Sequence, residues 1–525
     1  MKIIKIFTLF IILSAHILFP QSEIDRGKGL IYLQSNLKVL ASDLFEGRET
    51  ATRGEQLAAL FISGELTKYG VKPFGDGETY FQLIELMVIK VEPETELTII
   101  NNNGSSKVLK LGDDFYLSKE QLPSDKYNGN ESNIVFTGYG ITAEDYNYDD
   151  YNGIDVKGKV VLLQSGVPAI DEEGFSSEDE KKFGVRNYKI KNANDHGAVG
   201  VLSIPGGRML KYWRFIKKRA ASPSISLRNS DEADKDAIPV ALLSEESVKD
   251  LLSDEKYSYD EILEASENNK PLSGFDLTKK IIFNYTTNSE IKEARNILGI
   301  IEGTDEELKN EYIVLTAHYD HKGIIDGEIY NGADDNGSGA VVILEAGRRL
   351  ALLKGNKRSI IIAFHTGEEK GLLGSKYLTE NSDFMSGVVS NINIDMVGRE
   401  DTESLYSIGS GMLSTELYDL VERVNSETVK FELDYTFDDP NDPNRYYYRS
   451  DHYNYAKQNI PIVFFYDNMT EDYHRPTDDI EKINFEKMEK VSTLITELAL
   501  RIANLDHKLI LDKKDKEDKE SVGSR

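Results

Sequence analysis

The chain contains no cysteine. Disulfides, lipidation on cysteine and thiolate metal ligation are therefore excluded, and any metal must be held by His, Asp and Glu. Positive charge is scarce: 62 Lys and Arg stand against 90 Asp and Glu, a net charge of -28. That balance argues against nucleic acid or an anionic membrane as partner and describes a solvated acidic surface. There is one tryptophan, Trp213, set among basic residues in KYWRFIKKR, where it either packs or offers a surface contact. The apolar run IFTLFIIL, behind Lys2 and Lys5, is too short to span a bilayer comfortably. A basic start followed by a short apolar core is the pattern of a secretory signal over residues 1–21, with an uncleaved anchor as the alternative. No other stable membrane partner is expected. Apolar residues are plentiful, at 40% of 525, and a chain of this length is expected to form two or more domains.

Leu30, Leu33, Leu37 and Leu40 recur at helical spacing, as do Leu57, Leu60, Phe61 and Leu66 before a stop at Gly70. Between them, FEGRETATRG places Arg48, Glu49 and Arg53 in what reads as a solvated connection. From Val91 short β-like runs follow, LTII and KVLKL, broken by NNNG and GDD. Near Ser132 the texture changes to short buried-strand candidates, NIVFTGYGI, KVVLL, GVLSI and PVALL, with a helical stretch around Asn187 to His196. The surroundings of KVVLL, with NDHGAVGVLSIP and IPVALLSEE, resemble a protease-associated domain, a module inserted into several peptidase families that does no chemistry itself.

From Ala294 apolar runs alternate with helical segments: NILGIIEG, EYIVLTAH, SIIIAFHTGEE and VVSNINIDM, with helices from Ser338 to Leu353 and through Phe485, Met488, Val491, Ile495, Leu498 and Ile502. This is α/β texture, a sheet sandwiched by helices. Its acidic and histidine residues stand where strand runs give out: His318 and Asp320, Glu368 and Glu369, then Asp395. Separate strands can therefore deliver ligands to one crevice beyond their carboxyl ends. With an aspartate of the Asp334–Asp335 pair and His474, these residues supply more ligands than one catalytic zinc uses, and two metals sharing a carboxylate fit the count. Each has a plainer reading. Asp334 and Asp335 suit a helix N-cap, Glu368 and Glu369 suit a first helical turn, and His474 suits a loop.

Taken together, AHYDH, NGADDNGSG, TGEEKGLLGS, NIDMVGR, RSDHY and YHRPTDD resemble the motif set of the family-twenty-eight metallopeptidases, zinc aminopeptidases of clan MH, in order and approximate spacing. The resemblance implies a mixed β-sheet sandwiched by helices, of the zinc exopeptidase (phosphorylase/hydrolase-like) fold, with a small β-rich protease-associated insert. Residues 22–115 would be the N-terminal part of the peptidase domain, 116–285 the insert, 286–505 the catalytic domain and 506–525 a disordered tail.

It also implies two Zn²⁺ ions, one held by His318 and Asp395, the other by Glu369 and His474, with Asp335 rather than Asp334 bridging. Glu368 would be the general base and Asp320 the orienter of His318. The implied reaction is attack of a metal-bridging hydroxide on the carbonyl of a peptide's N-terminal residue. Ser450, Asp451 and His452 are adjacent, so they cannot converge as a serine triad. With Tyr473 they are expected on the substrate side, and RYYYR beside them is a candidate cleft wall. His321 and His365 lie near the site in sequence and would touch substrate or solvent. A carboxypeptidase of the same family, a glutaminyl cyclase-like transferase and a catalytically dead binding protein are the rival readings.

Overall fold

The computed structural model describes residues 19–513 apart from 120, 121, 123, 171–173, 207, 208, 210, 229–236, 400, 440 and 441. Residues 1–18 of the expected signal segment and the tail beyond Lys513 lie outside the described residues. Two compact units divide the described residues, 19–84 with 293–513, and Glu85–Lys292.

The strands of the first unit are β1 (Phe275–Ile301, of which the C-terminal end belongs here), β2 (Tyr312–His318), β3 (Ser359–His365), β4 (Val388–Ile394), β5 (Ser404–Ile408), β6 (Glu432–Asp434) and β7 (Ile462–Tyr466). Across the sheet they run β1-β3-β2-β4-β7-β5-β6. The central β3, β2, β4 and β7 are parallel, while β1 and β5 pair antiparallel at either side. The helices are α1 (Phe19–Leu40), α2 (Arg53–Tyr69), α3 (Gly339–Leu353), α4 (Leu373–Asn381), α5 (Thr415–Glu427), α6 (His452–Ala456) and α7 (Phe485–Ala503).

Strand side chains alternate between faces. Ile313 and Leu315 thus join one core with Leu37 of α1, Ile62 of α2, Ile343 of α3 and Met488 of α7. Val314, with Ile361 and Ala363, joins another that holds Leu378 of α4 and Tyr455 of α6. Because both faces are covered, every residue of β3, β4 and β7 is buried, including the polar Ser390, Asn391 and Asn393 of β4. The expected stop of α2 is a left-handed cap at Gly70 (φ +78°), whose N–H donates to the Thr67 carbonyl.

In the second unit a sheet runs Ser132–Phe136, Val160–Gln164, Gly200–Ile204, Val240–Leu243 in parallel, then Phe115–Leu117 antiparallel. The N-terminal part of β1 pairs antiparallel with Ser132–Phe136, Glu96–Ile100 and Lys126–Asn128. The helical stretch expected near Asn187 is Arg186–Asp195. Trp213 is half-buried at the start of helix Trp213–Ala221, its indole N–H donating to the Asp113 carbonyl.

Three expectations need correction. The units divide after Ile84 and Lys292 rather than at 115/116 and 285/286. The hairpin Glu96–Ile100 and Ser106–Lys110 is paired to β1 at Lys280–Asn284 and so belongs to the second unit, and at the other boundary β1 continues without a loop to mark the change. The segment 506–513 is not a loose tail: Leu509 is buried, Asp512 accepts from the Thr415 N–H, and the His507 carbonyl accepts from Arg358. Finally, Arg48 is wholly buried rather than solvated. Its Nε donates to the Tyr319 carbonyl (2.8 Å), Nη1 to those of Leu40 (2.8 Å) and Asn331 (2.6 Å), and Nη2 to that of Gly332 (2.9 Å).

Burial pushes the Arg48 guanidinium down to about 10, against the pull of Asp478 and Asp320, so it stays charged at neutral pH. An apolar Arg48→Met variant would strand four carbonyls, and a loss of about 3 kcal/mol in urea unfolding is expected. An unchanged unfolding midpoint would contradict this role.

Candidate metal centre

The parallel strands end together, and their ends carry the site. His318 closes β2, Asp395 follows β4 directly, and Glu368 and Glu369 enter the turn after β3 behind Gly367. Asp335 sits in the turn Ala333–Ser338 that leads into α3. His474 lies in the loop that follows β7. The order of strands thus brings together residues spread over 157 positions of sequence, from His318 to His474.

Asp335 is the centre of this group. Its Oδ1 is 3.5 Å from His318 Nε2, and its Oδ2 is 3.1 Å from His474 Nε2. His318 Nε2 is also 3.3 Å from Asp395 Oδ1, and His474 Nε2 is 3.3 Å from Glu369 Oε2. Glu368 Oε2 stands 4.0 Å from His318 Nε2. Asp320 backs His318, with its carbonyl 3.1 Å and its carboxylate 3.6 Å from Nδ1, and is itself held by Thr50 Oγ1 and the Glu368 N–H.

Burial is the largest influence on Glu368, Glu369, His318 and His474. It lifts Glu368 well above the usual carboxylate range, and Glu369, Asp395 and Asp451 lift it further against His318. Burial also opposes the charged form of Glu369, yet Lys322, His321 and His474 hold that carboxylate well below the ordinary range. In the same way Asp395, Asp320 and Glu368 overcome burial to raise His318. His474 rises to about 9 through Asp335 and Glu369. Adjacent glutamates are thus pushed in opposite directions, the arrangement that separates an acid–base group from a ligand.

The donor set fits a cation. Ligating atoms of His318, Asp335 and Asp395 lie within 4.8 Å of one another, as do those of His321, Asp335 and Glu369. Asp335 Oδ2 and Glu369 Oε1 are buried without a hydrogen-bond partner. Buried carboxylates in this density require a positive counter-charge, and imidazole with carboxylate is a donor set suited to zinc.

The substrate-side expectations divide. Ser450 and Tyr473 line a cleft with Asp335, Glu368, Asp395 and His474. Met396, Tyr446, Arg449, Phe464, Tyr466 and Met469 form its other wall. Ser450 also donates to Asp395 Oδ2 (2.8 Å) and so steadies a candidate ligand. Asp451 is buried behind the cleft, where burial raises its carboxyl to about 7. His452 is not a cleft residue: it stacks on Phe464, ring centroids 4.6 Å apart, and its Nε2 lies 2.8 Å from the Tyr447 carbonyl.

Neither His321 nor His365 meets solvent, since both are fully buried. His365 Nε2 lies 3.1 Å from the Tyr455 hydroxyl, and burial, reinforced by His318, pushes the ring down to about 3. A free imidazole titrates near 6.5. Between about 6.5 and about 3 the unfolded chain therefore binds a proton that the folded chain excludes. Above that window the group costs nothing, and as pH falls through it stability is lost at about 1.4 kcal/mol per unit. His365→Gln removes this dependence, so the variant should gain on the wild type in urea unfolding between about pH 6.5 and pH 5. A stability gap constant with pH would contradict this.

Sequence reasoning passed over the residues that hold the bridge in place. Asp478 accepts the N–H groups of Asp334 and Asp335 and is gripped by Arg399 Nη2 at 2.6 Å. Both lie inside motifs already recognised, YHRPTDD and NIDMVGR, so the signal was present without a role attached.

Residues 296–499 match the model of peptidase family M28, and residues 130–251 match the PA domain. Leucine aminopeptidase 2 of Trichophyton equinum is 26% identical over 333 residues, covering 62% of this chain and 53% of its own. A probable leucine aminopeptidase of Trichophyton verrucosum is 31% identical over 223 residues, 40% of this chain and 57% of its own. The chain thus spans about half the length of the curated relatives it matches. The aminopeptidase from Aneurinibacillus sp. strain AM-1 shares the fold with TM-score 0.54 and 18% identity, over 93% of this chain and 96% of that one. The chain thus carries a region at residues 296–499 that matches peptidase family M28 and one at residues 130–251 that matches the PA domain.

Proposed function

We propose that this protein is an exported, zinc-dependent aminopeptidase that removes N-terminal residues from peptides. The observation that carries the reading is Asp335, which places one carboxylate oxygen beside His318 and Asp395 and the other beside His474 and Glu369. Two ions shared by one carboxylate is the arrangement this supports. Zinc held there would supply a Lewis acid for the scissile carbonyl and lower the pKa of water.

The chain's own residues do the rest. Glu368, whose affinity for a proton burial has raised, takes the proton from the attacking water and returns it to the leaving amine. Asp478 fixes the backbone at Asp335, and Ser450 fixes Asp395. The carboxylate edge of the cleft suits an N-terminal ammonium, and the lining of Met396, Phe464, Tyr466 and Met469 suits an apolar side chain. Export rests on the basic and apolar pattern of residues 1–21.

One observation favours a second reading. Arg449 lines the same cleft and could receive a free carboxylate, as a carboxypeptidase requires. A panel of amino-terminal chromogenic substrates and matched peptides, with and without chelator, tests both. Chelator-sensitive release that N-acetylation blocks and C-amidation does not is expected; the reverse pattern would establish the carboxypeptidase, and no release from any substrate would overturn both.

A further inference from the structure

We propose that His321 is a further metal ligand, through Nδ1, for the ion held by Glu369 and His474. This deepens the metallopeptidase reading and rests on it.

His321 is fully buried, its Nε2 has no hydrogen-bond partner, and its Nδ1 meets only carboxylate oxygens. Such a ring is costly unless something else meets its lone pair. Nδ1 lies 2.9 Å from Glu369 Oε1 and 3.8 Å from Asp335 Oδ2. Glu369 Oε1 is likewise buried without a hydrogen-bond partner, although its other oxygen meets Lys322 and His474. An imidazole nitrogen and a carboxylate oxygen that meet this closely in a buried site have the spacing of two ligands on a common cation.

The ring has little freedom to turn elsewhere. A Cβ on Gly332, at φ +55°, would come within 2.5 Å of His321 Cγ and Cδ2, so the backbone packs directly on its face. The residue's backbone is held as well, its main-chain N–H donating to the Arg48 carbonyl.

The consequence is an asymmetric centre. His318, Asp395 and Asp335 give three protein donors on one side; on the other His321, Asp335 and Glu369 converge, and His474 Nε2, 3.1 Å from Asp335 and 3.3 Å from Glu369, would add a fourth. Three donors leave a coordination position open for chemistry, and four close a tetrahedral site. The side containing His321 is therefore the tightly held ion and the His318 side the exchangeable, substrate-facing one.

Competition of wild-type protein, His321→Ala and His321→Gln with a zinc chelator, joined to zinc X-ray absorption, tests this. Glutamine can restore a hydrogen bond to Glu369 but not an imidazole ligand, so it separates ligation from mere positioning. Expected are two zinc affinities in the wild type, with the tighter one weakened about tenfold or more in both variants and the imidazole contribution to the spectrum reduced. Apo-protein melting should show both variants folded. Unchanged affinities, or full recovery with Gln, would overturn the assignment while leaving the metallopeptidase reading intact. A wild type that takes up no zinc would overturn both.

Discussion

Glu368→Gln is expected to keep the zinc content of the wild type and to lose about 10²–10⁴-fold in turnover. The substitution is nearly isosteric, so the candidate ligands around Asp335 keep their places. It stands 4.0 Å from His318 Nε2 at the wall of the cleft, near enough to serve a reacting atom there. What the amide removes is the ability to accept and return a proton. KM should change less than kcat, because the proton moves only during reaction. A variant with unchanged zinc and unchanged turnover would take Glu368 out of the mechanism. A variant that lost its zinc would instead make Glu368 a ligand.

The second large effect is expected at Asp335. Asp335→Ala should reduce zinc from about two ions per chain to none and abolish activity, because each carboxylate oxygen serves a different histidine. Its neighbour makes the control. Asp334 is equally buried, but its Oδ1 accepts from the Gly398 N–H, and burial with Asp478 and Asp467 lifts it well above the carboxylate range. Asp334→Asn is a close isostere that keeps the oxygen accepting from the Gly398 N–H, so zinc and turnover should survive. Adjacent residues of one type would then give opposite results. Zinc retained in Asp335→Ala would break the shared-carboxylate account, whatever the activity.

The candidate ligands were legible because zinc chemistry admits few residue types and the fold presents them in one kind of place. His318, Glu369 and Asp395 each stand where an apolar strand run ends, and an apolar run is the most visible object in a sequence. The choice between Asp334 and Asp335 was not legible from spacing, since a turn before a helix displays both. The structure separates their surroundings through the groups each one meets, Gly398 for one and the two histidines for the other.

What remained hidden depends on contacts distant in sequence. Arg48 reads as a solvated turn residue because the carbonyls that enclose it come from Leu40, Tyr319, Asn331 and Gly332. His321 reads as a spare histidine because its neighbour is Glu369. His452 shares a motif with Ser450 but turns away, since successive side chains at the start of a helix point in different directions. The unit boundary near Ile84 was misplaced for a related reason. A short strand shows its periodicity but not which sheet it will join.

The most direct measurement is anomalous X-ray diffraction at the zinc edge from crystals of the zinc-loaded protein. Two peaks are expected, one against His318 and Asp395, the other against Glu369 and His474, with an oxygen of Asp335 on each. Zinc bound at any other place, or one peak with Asp335 turned away from it, would contradict the account.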